Sequence, residues 1–135
     1  MKPIEILVVQ EHPLEARILK DFLQDHYLAN VSVARDGEEA LRILMTEGYH
    51  PDLILLDLKL SKLGGHEAVQ RIRRKIAPKV PIVVMSTSRN PDDVSFAYAL
   101  GVNAYVEKPL KIEDLERTMQ SVGRLWVEPL VREHH

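Results

Sequence analysis

Asp52-Leu53-Ile54-Leu55-Leu56-Asp57-Leu58 decides how this chain reads. Four apolar side chains lead without interruption into one acid, Asp57, with Pro51 before the stretch and Lys59 after it. An apolar run of that length, bounded in that way, predicts a strand buried on both faces, as in a parallel sheet. An acid at the carboxyl end of such a strand stands where open α/β sheets gather their ligands. Asp57 is therefore the first candidate for chemistry.

Working outward, the same kind of run recurs. Ile4-Glu5-Ile6-Leu7-Val8-Val9, Asn30 to Ala34, Pro81 to Met85 and Val102 to Val106 predict four more strands. Helical signals lie between them. Pro13 suits a first turn, and Leu14, Ile18, Leu19, Phe22 and Leu23 follow at helical spacing. Asp36 and Glu39 have capping-box spacing; Ala40, Leu41, Leu44 and Met45 form a face that Gly48 is expected to end. Gly64-Gly65 permits a turn into a helix carrying Ala68, Val69 and Ile72. Asn90-Pro91-Asp92-Asp93 combines a cap, a first-turn proline and acids suited to the helix dipole, and that helix should stop at Gly101. Ile112, Leu115, Met119, Val122 and Trp126 share the face of a last helix, which Pro129 should end. Strand and helix alternate five times, which predicts an α/β fold: a five-stranded parallel sheet, helices on both faces, right-handed crossovers.

At 135 residues the chain has the length of one domain with a core of its own. Residues 1–129 are expected to form that domain and 130–135 a tail, whose Glu133-His134-His135 is either natural or an added remnant. A net charge of -2 gives no field to recruit nucleic acid or an anionic membrane. The absence of cysteine excludes disulfides, thiolate nucleophiles and cysteine metal sites. No apolar run reaches the length of a membrane span, and the first closes too early for a signal peptide, so the expected location is cytoplasmic. Arg71, Arg73, Arg74 and Lys75 read as a solvated basic helix end.

In the expected fold, four strand ends bring Gln10-Glu11-His12, Asp57, Ser86-Thr87 and Lys108 to one edge. Oxygen ligands such as Glu11 and Asp57 suit Mg²⁺, which keeps several waters. A lone carboxylate accepts phosphoryl poorly, because charge repels charge. A divalent ion, a lysine and a hydroxyl would neutralise and orient the transferring oxygens. The set reads as a site that takes phosphoryl onto Asp57.

Leu53-Ile-Leu-Leu-Asp57, Ser86-Thr87 after a Val-Val strand, and Tyr105-Val-Glu-Lys108-Pro109, in this order, resemble the receiver domain of two-component response regulators. The resemblance spans the chain and implies the flavodoxin-like (βα)5 receiver fold. A finer likeness is to single-domain receivers that partner phytochrome histidine kinases. It rests on Ser86-Thr87-Ser88, Asp92-Asp93, Tyr98, Val102-Asn103-Ala104-Tyr105 and Trp126. By this resemblance Asp57 is the phosphoacceptor, Ser86 the hydroxyl that moves toward the phosphoryl group, Lys108 its cationic partner and Tyr105 the aromatic switch that rotates with Ser86. Glu11, Asp57 and the backbone carbonyl of Lys59 would hold Mg²⁺; Gly65 matches the glycine after the phosphorylation loop; the bond to Pro109 would be cis. The implied partner is a sensor histidine kinase, of the phytochrome type on the finer likeness.

Three positions depart from the family pattern. Gln10 stands where the first of two acids is usual, Glu11 where the second is usually Asp, and Ser61 where proline is usual. Gln10 removes a charge from the metal site and reads more readily as a hydrogen-bonding or solvated residue than as a ligand holder. Glu11 carries its carboxylate one methylene outward, and Mg²⁺ tolerates poor geometry badly. A rival reading is therefore an adaptor of the same fold that works without phosphorylation. A flavodoxin-like enzyme is a more distant one, since the loop after the first strand lacks a Gly- and Ser/Thr-rich phosphate cradle. Without room for a DNA-binding output domain, the signal is expected to pass by protein contact or onward phosphotransfer. Tyr98, Trp126, Leu130 and Val131 suggest a homodimer through the fourth helix, fifth strand and tail.

Overall fold

A computed structural model of the chain describes residues 2–133. Five strands, β1 (Ile4–Val9), β2 (Ala29–Ala34), β3 (Leu53–Asp57), β4 (Ile82–Ser86) and β5 (Ala104–Glu107), form one sheet in the order β2-β1-β3-β4-β5. Every neighbouring pair is parallel. Strand order reverses direction between β1 and β3, and there the carboxyl ends leave a crevice. Successive side chains of a strand point to opposite faces, and here both faces are covered. Ile4, Ile6, Val8, Leu53, Leu55, Val83 and Met85 pack against one set of helices. Leu7, Val9, Ile54, Leu56, Ile82 and Val84 pack against the other. All five residues of β3 are buried, as its unbroken apolar run requires.

The first set comprises α1 (Pro13–His26) and α5 (Leu115–Val122), which bury Leu19, Phe22 and Leu23 against Leu115, Met119 and Val122. The second comprises α2 (Gly37–Leu44), α3 (Gly65–Arg71) and α4 (Pro91–Ala99). Asp36 caps α2 by accepting from the Glu39 amide, and Asn90 caps α4 by accepting from the Asp92 amide. Both caps stand where the sequence pattern puts them.

Several ends differ from expectation. Helix α2 stops at Leu44, and Gly48 lies outside it in a turn with φ of 84°. Pro129 does not end the last helix: α5 widens into a π turn over Gly123–Val127 and continues as α6 (Glu128–Glu133). The wider turn pairs the Glu128 amide with the Gly123 carbonyl. That opens the backbone just before Pro129, where a regular α-helix would drive the ring into the carbonyl four residues back. Leu130 and Val131, expected on a tail, lie partly buried against the first core. His134 and His135 lie outside the described residues. Among the described residues no peptide bond is cis, so the Lys108–Pro109 bond is trans, the ordinary preference of an X–Pro bond, against the family expectation.

Arg73 is another correction to a solvated basic face. Its guanidinium donates to the carbonyls of Gly101, Ala77 and Val80 and to Oδ1 of Asn103. It ties the π turn that follows α3 to the segments leading into β4 and β5, and burial lowers its pKa. No helix among the described residues is long and apolar enough to cross a membrane.

Candidate functional site

Asp57 ends β3 with only 4% of its surface exposed, yet its carboxylate is fully engaged. Oδ1 accepts the Lys59 amide at 2.8 Å. Oδ2 accepts the Gln10 side-chain amide at 2.9 Å and the Lys108 ammonium. A buried charge is tolerated only when so paired. Gln10, expected to be solvated or hydrogen-bonding, is buried and hydrogen-bonded. Its Oε1 accepts the His12 amide at 3.0 Å, which fixes which end of the carboxamide faces Asp57.

Lys108 reaches the cluster from just beyond β5, where its backbone amide donates to the Ser86 carbonyl at 2.7 Å. Its Nζ also donates to Oε2 of Glu15 at 3.1 Å. Burial disfavours the ammonium, but the hydrogen bonds and negative charges of Asp57 and Glu15 outweigh it and raise the Lys108 pKa. The group stays protonated throughout the neutral range. Glu15 is the functional-site neighbour that sequence reasoning missed. The signal was the capping-box spacing of His12 and Glu15: the Glu15 amide donates to Nδ1 of His12 at 3.4 Å. That places Glu15 in the first turn of α1, against the sheet edge.

Glu11 points outward, and its Oε2 accepts the Ser61 amide at 2.7 Å. A proline at Ser61 would have no such donor, so two of the departures from the family pattern meet in one bond. Gly65 closes the same loop. A Cβ there would come within 2.6 Å of the Leu58 Cα, so only glycine permits this approach.

Gln10, Glu11, Glu15, Asp57, Thr87 and Lys108 are among the residues lining an open cleft of about 740 Å³. Glu11 and Asp57 line this cleft with hard carboxylate oxygens, and Lys59 lines it beside them. That donor chemistry fits Mg²⁺, which binds through one or two carboxylates and keeps several waters.

Ser86 sits at the end of β4, and its hydroxyl accepts the Ser88 amide at 3.1 Å. The Ser88 hydroxyl in turn donates to Asp93. Tyr105 donates its hydroxyl to the Ser88 carbonyl at 3.0 Å, and its amide donates to the Tyr98 hydroxyl at 3.1 Å. Tyr98 therefore belongs beside Tyr105, at the α4–β5 corner, with 48% of its surface exposed. Trp126, Leu130 and Val131 are not brought to the cleft; they pack against the core on the α1–α5 side of the sheet.

Residues 6–120 match the family described as the response regulator receiver domain. The chain belongs to that family. Response regulator Rcp1 of Synechocystis is 35% identical over 93% of this chain and 90% of its own length. A probable methanogenesis regulatory protein, FilR2 of Methanothrix harundinacea, is 37% identical over 93% of this chain and 84% of its own length. Among solved structures, the Mn²⁺-bound form of Rcp1 superposes with a TM-score of 0.85 at 33% identity, covering 93% of this chain and 96% of that one. The phosphorylated cyanobacterial phytochrome response regulator RcpA gives 0.85 at 30% identity, covering 93% and 95%. The receiver fold and the kinship with receivers of cyanobacterial phytochrome signalling are therefore findings.

Proposed function

We propose that this receiver accepts phosphoryl from a sensor histidine kinase onto Asp57, with Mg²⁺ bound. The observation that carries the reading is the meeting of Asp57 and Lys108 in an open cleft at the switch point of the sheet. In the transfer, an Asp57 carboxylate oxygen forms a bond to phosphorus as the bond from phosphorus to the histidine nitrogen breaks. The electron pair leaves with the imidazole. Lys108 holds the phosphoryl oxygens, and the Lys59 amide holds one oxygen of the carboxylate in place. When bound, Mg²⁺ supplies charge neutralisation, held by Glu11, Asp57 and the Lys59 carbonyl. Gln10 serves the carboxylate as a donor rather than the metal as a ligand.

Ser86 then turns from the Ser88 amide toward the phosphoryl group, and Tyr105 follows, giving up the Ser88 carbonyl. The surface of α4 and β5 is what a partner protein reads, by contact or by onward phosphotransfer. The 35% identity with Rcp1 and the likeness to phosphorylated RcpA favour a kinase of the phytochrome type. A homodimer through α4, β5 and the C-terminal segment is part of this reading, carried by exposed Tyr98 and half-buried Trp126, Leu130 and Val131. Sedimentation showing only monomer, with and without phosphoryl, removes it. The adaptor reading is not favoured, because the acceptor and its lysine are assembled in the open cleft.

The test is the intact mass after incubation with Mg²⁺ and acetyl phosphate, beside an Asp57→Asn control. One phosphoryl on the wild type alone, lost on chelating Mg²⁺, is the expected result. No adduct at any Mg²⁺ concentration would contradict the reading.

A further inference from the structure

Lys108 carries two carboxylates, not one. Asp57 is 3% exposed at its side chain, Glu15 19% and Lys108 11%, so the three charges are packed together with little water between them. Gln10 serves Asp57 as an uncharged donor and adds no charge of its own. Glu15 adds one, through its own hydrogen bond to the lysine that reaches Asp57. Its position is fixed by α1, whose first turn is capped by His12.

A phosphoryl group on Asp57 brings further negative charge and several acceptor oxygens to this spot. An ammonium has three protons to donate. While Glu15 keeps one of them, the phosphoryl group shares Lys108 with a competing anion and sits close to a like charge. We infer that Glu15 is a positioning residue that holds Lys108 over Asp57 at rest and then competes with the phosphoryl group for it, shortening the lifetime of the phosphorylated state. The inference rests on the phosphoacceptor reading. In the loss step, a water oxygen bonds to phosphorus as the phosphorus–oxygen bond to Asp57 breaks. Its electron pair stays with the restored carboxylate, and inorganic phosphate and a proton leave.

The experiment compares the wild-type chain with Glu15→Gln and Glu15→Asp. Acetyl phosphate and Mg²⁺ load the protein, the donor is removed, and the bound phosphoryl is followed by intact mass. Removing one charge from a packed cluster should slow the loss about threefold or more, and raise the steady-state loading, in Glu15→Gln. Glu15→Asp keeps the charge and should stay close to wild type, which a merely structural role would not require. Should Glu15→Gln fold poorly, Glu15→Ala removes the same charge with a smaller side chain and should give the same direction. Equal loss from wild type and the charge-removing variants, or equal effects of Gln and Asp, would overturn the inference alone. Wild type that takes up no phosphoryl would overturn the functional reading, and this inference with it.

Discussion

Two corners of the sheet edge hold their polar groups in opposite ways. At the Asp57 corner, between β1 and β3, Asp57 and Gln10 are buried, and charge meets charge through Lys108 and Glu15. At the α4–β5 corner, Ser86, Ser88, Tyr98 and Tyr105 use mainly neutral hydrogen bonds among half-exposed groups. Helix α4 buries only Ala97, and Phe96 and Tyr98 stay about half exposed. Few buried contacts mark an element that rearranges cheaply. The difference teaches where an event can occur and where it can be read. A buried ionic cluster cannot change charge without consequence, and a lightly packed corner can move in answer.

The largest expected break is Asp57→Asn, which should abolish phosphoryl uptake from acetyl phosphate altogether, measured by intact mass. Lys108→Ala comes next, because it leaves the Asp57 carboxylate buried without its cation. It should cost about 3 kcal/mol of unfolding free energy by urea denaturation. Gln10→Ala removes one donor to the same carboxylate and the acceptor of the His12 amide, and should cost about 2 kcal/mol in the same assay. At the other corner, Tyr105→Phe removes a single neutral hydrogen bond to the Ser88 carbonyl. It should cost about 1 kcal/mol or less while leaving phosphoryl uptake intact. If Tyr105→Phe cost as much as Lys108→Ala, the contrast between the corners would be wrong.

Much of this architecture is legible in the chain. The apolar run into Asp57, four similar runs and the caps at Asp36 and Asn90 suffice for a parallel sheet with covered faces. The motifs Leu53 to Asp57, Ser86-Thr87 and Tyr105 to Pro109, in that order, suffice for the family. Partner choice at close range is not legible, because it depends on side-chain reach. Nothing in local patterning says that Gln10 turns its amide toward Asp57, that Arg73 folds back on four acceptors, or that Glu15 finds Lys108 across 93 residues of chain. Pro129 shows the same limit for backbone: proline rules describe regular α-helix, and the π turn before it is not regular. The bond between Glu11 and the Ser61 amide joins two of the three departures from the family pattern, and neither residue type alone announces it.

The most direct test of the link between the corners is residue-resolved amide hydrogen exchange, before and after loading with acetyl phosphate and Mg²⁺. On this account the Ser88 amide, now held by the Ser86 hydroxyl, loses protection once the phosphoryl group draws Ser86 away, and α4 changes with it. A fully phosphorylated protein in which Ser88 and α4 exchange as they did before would contradict the account.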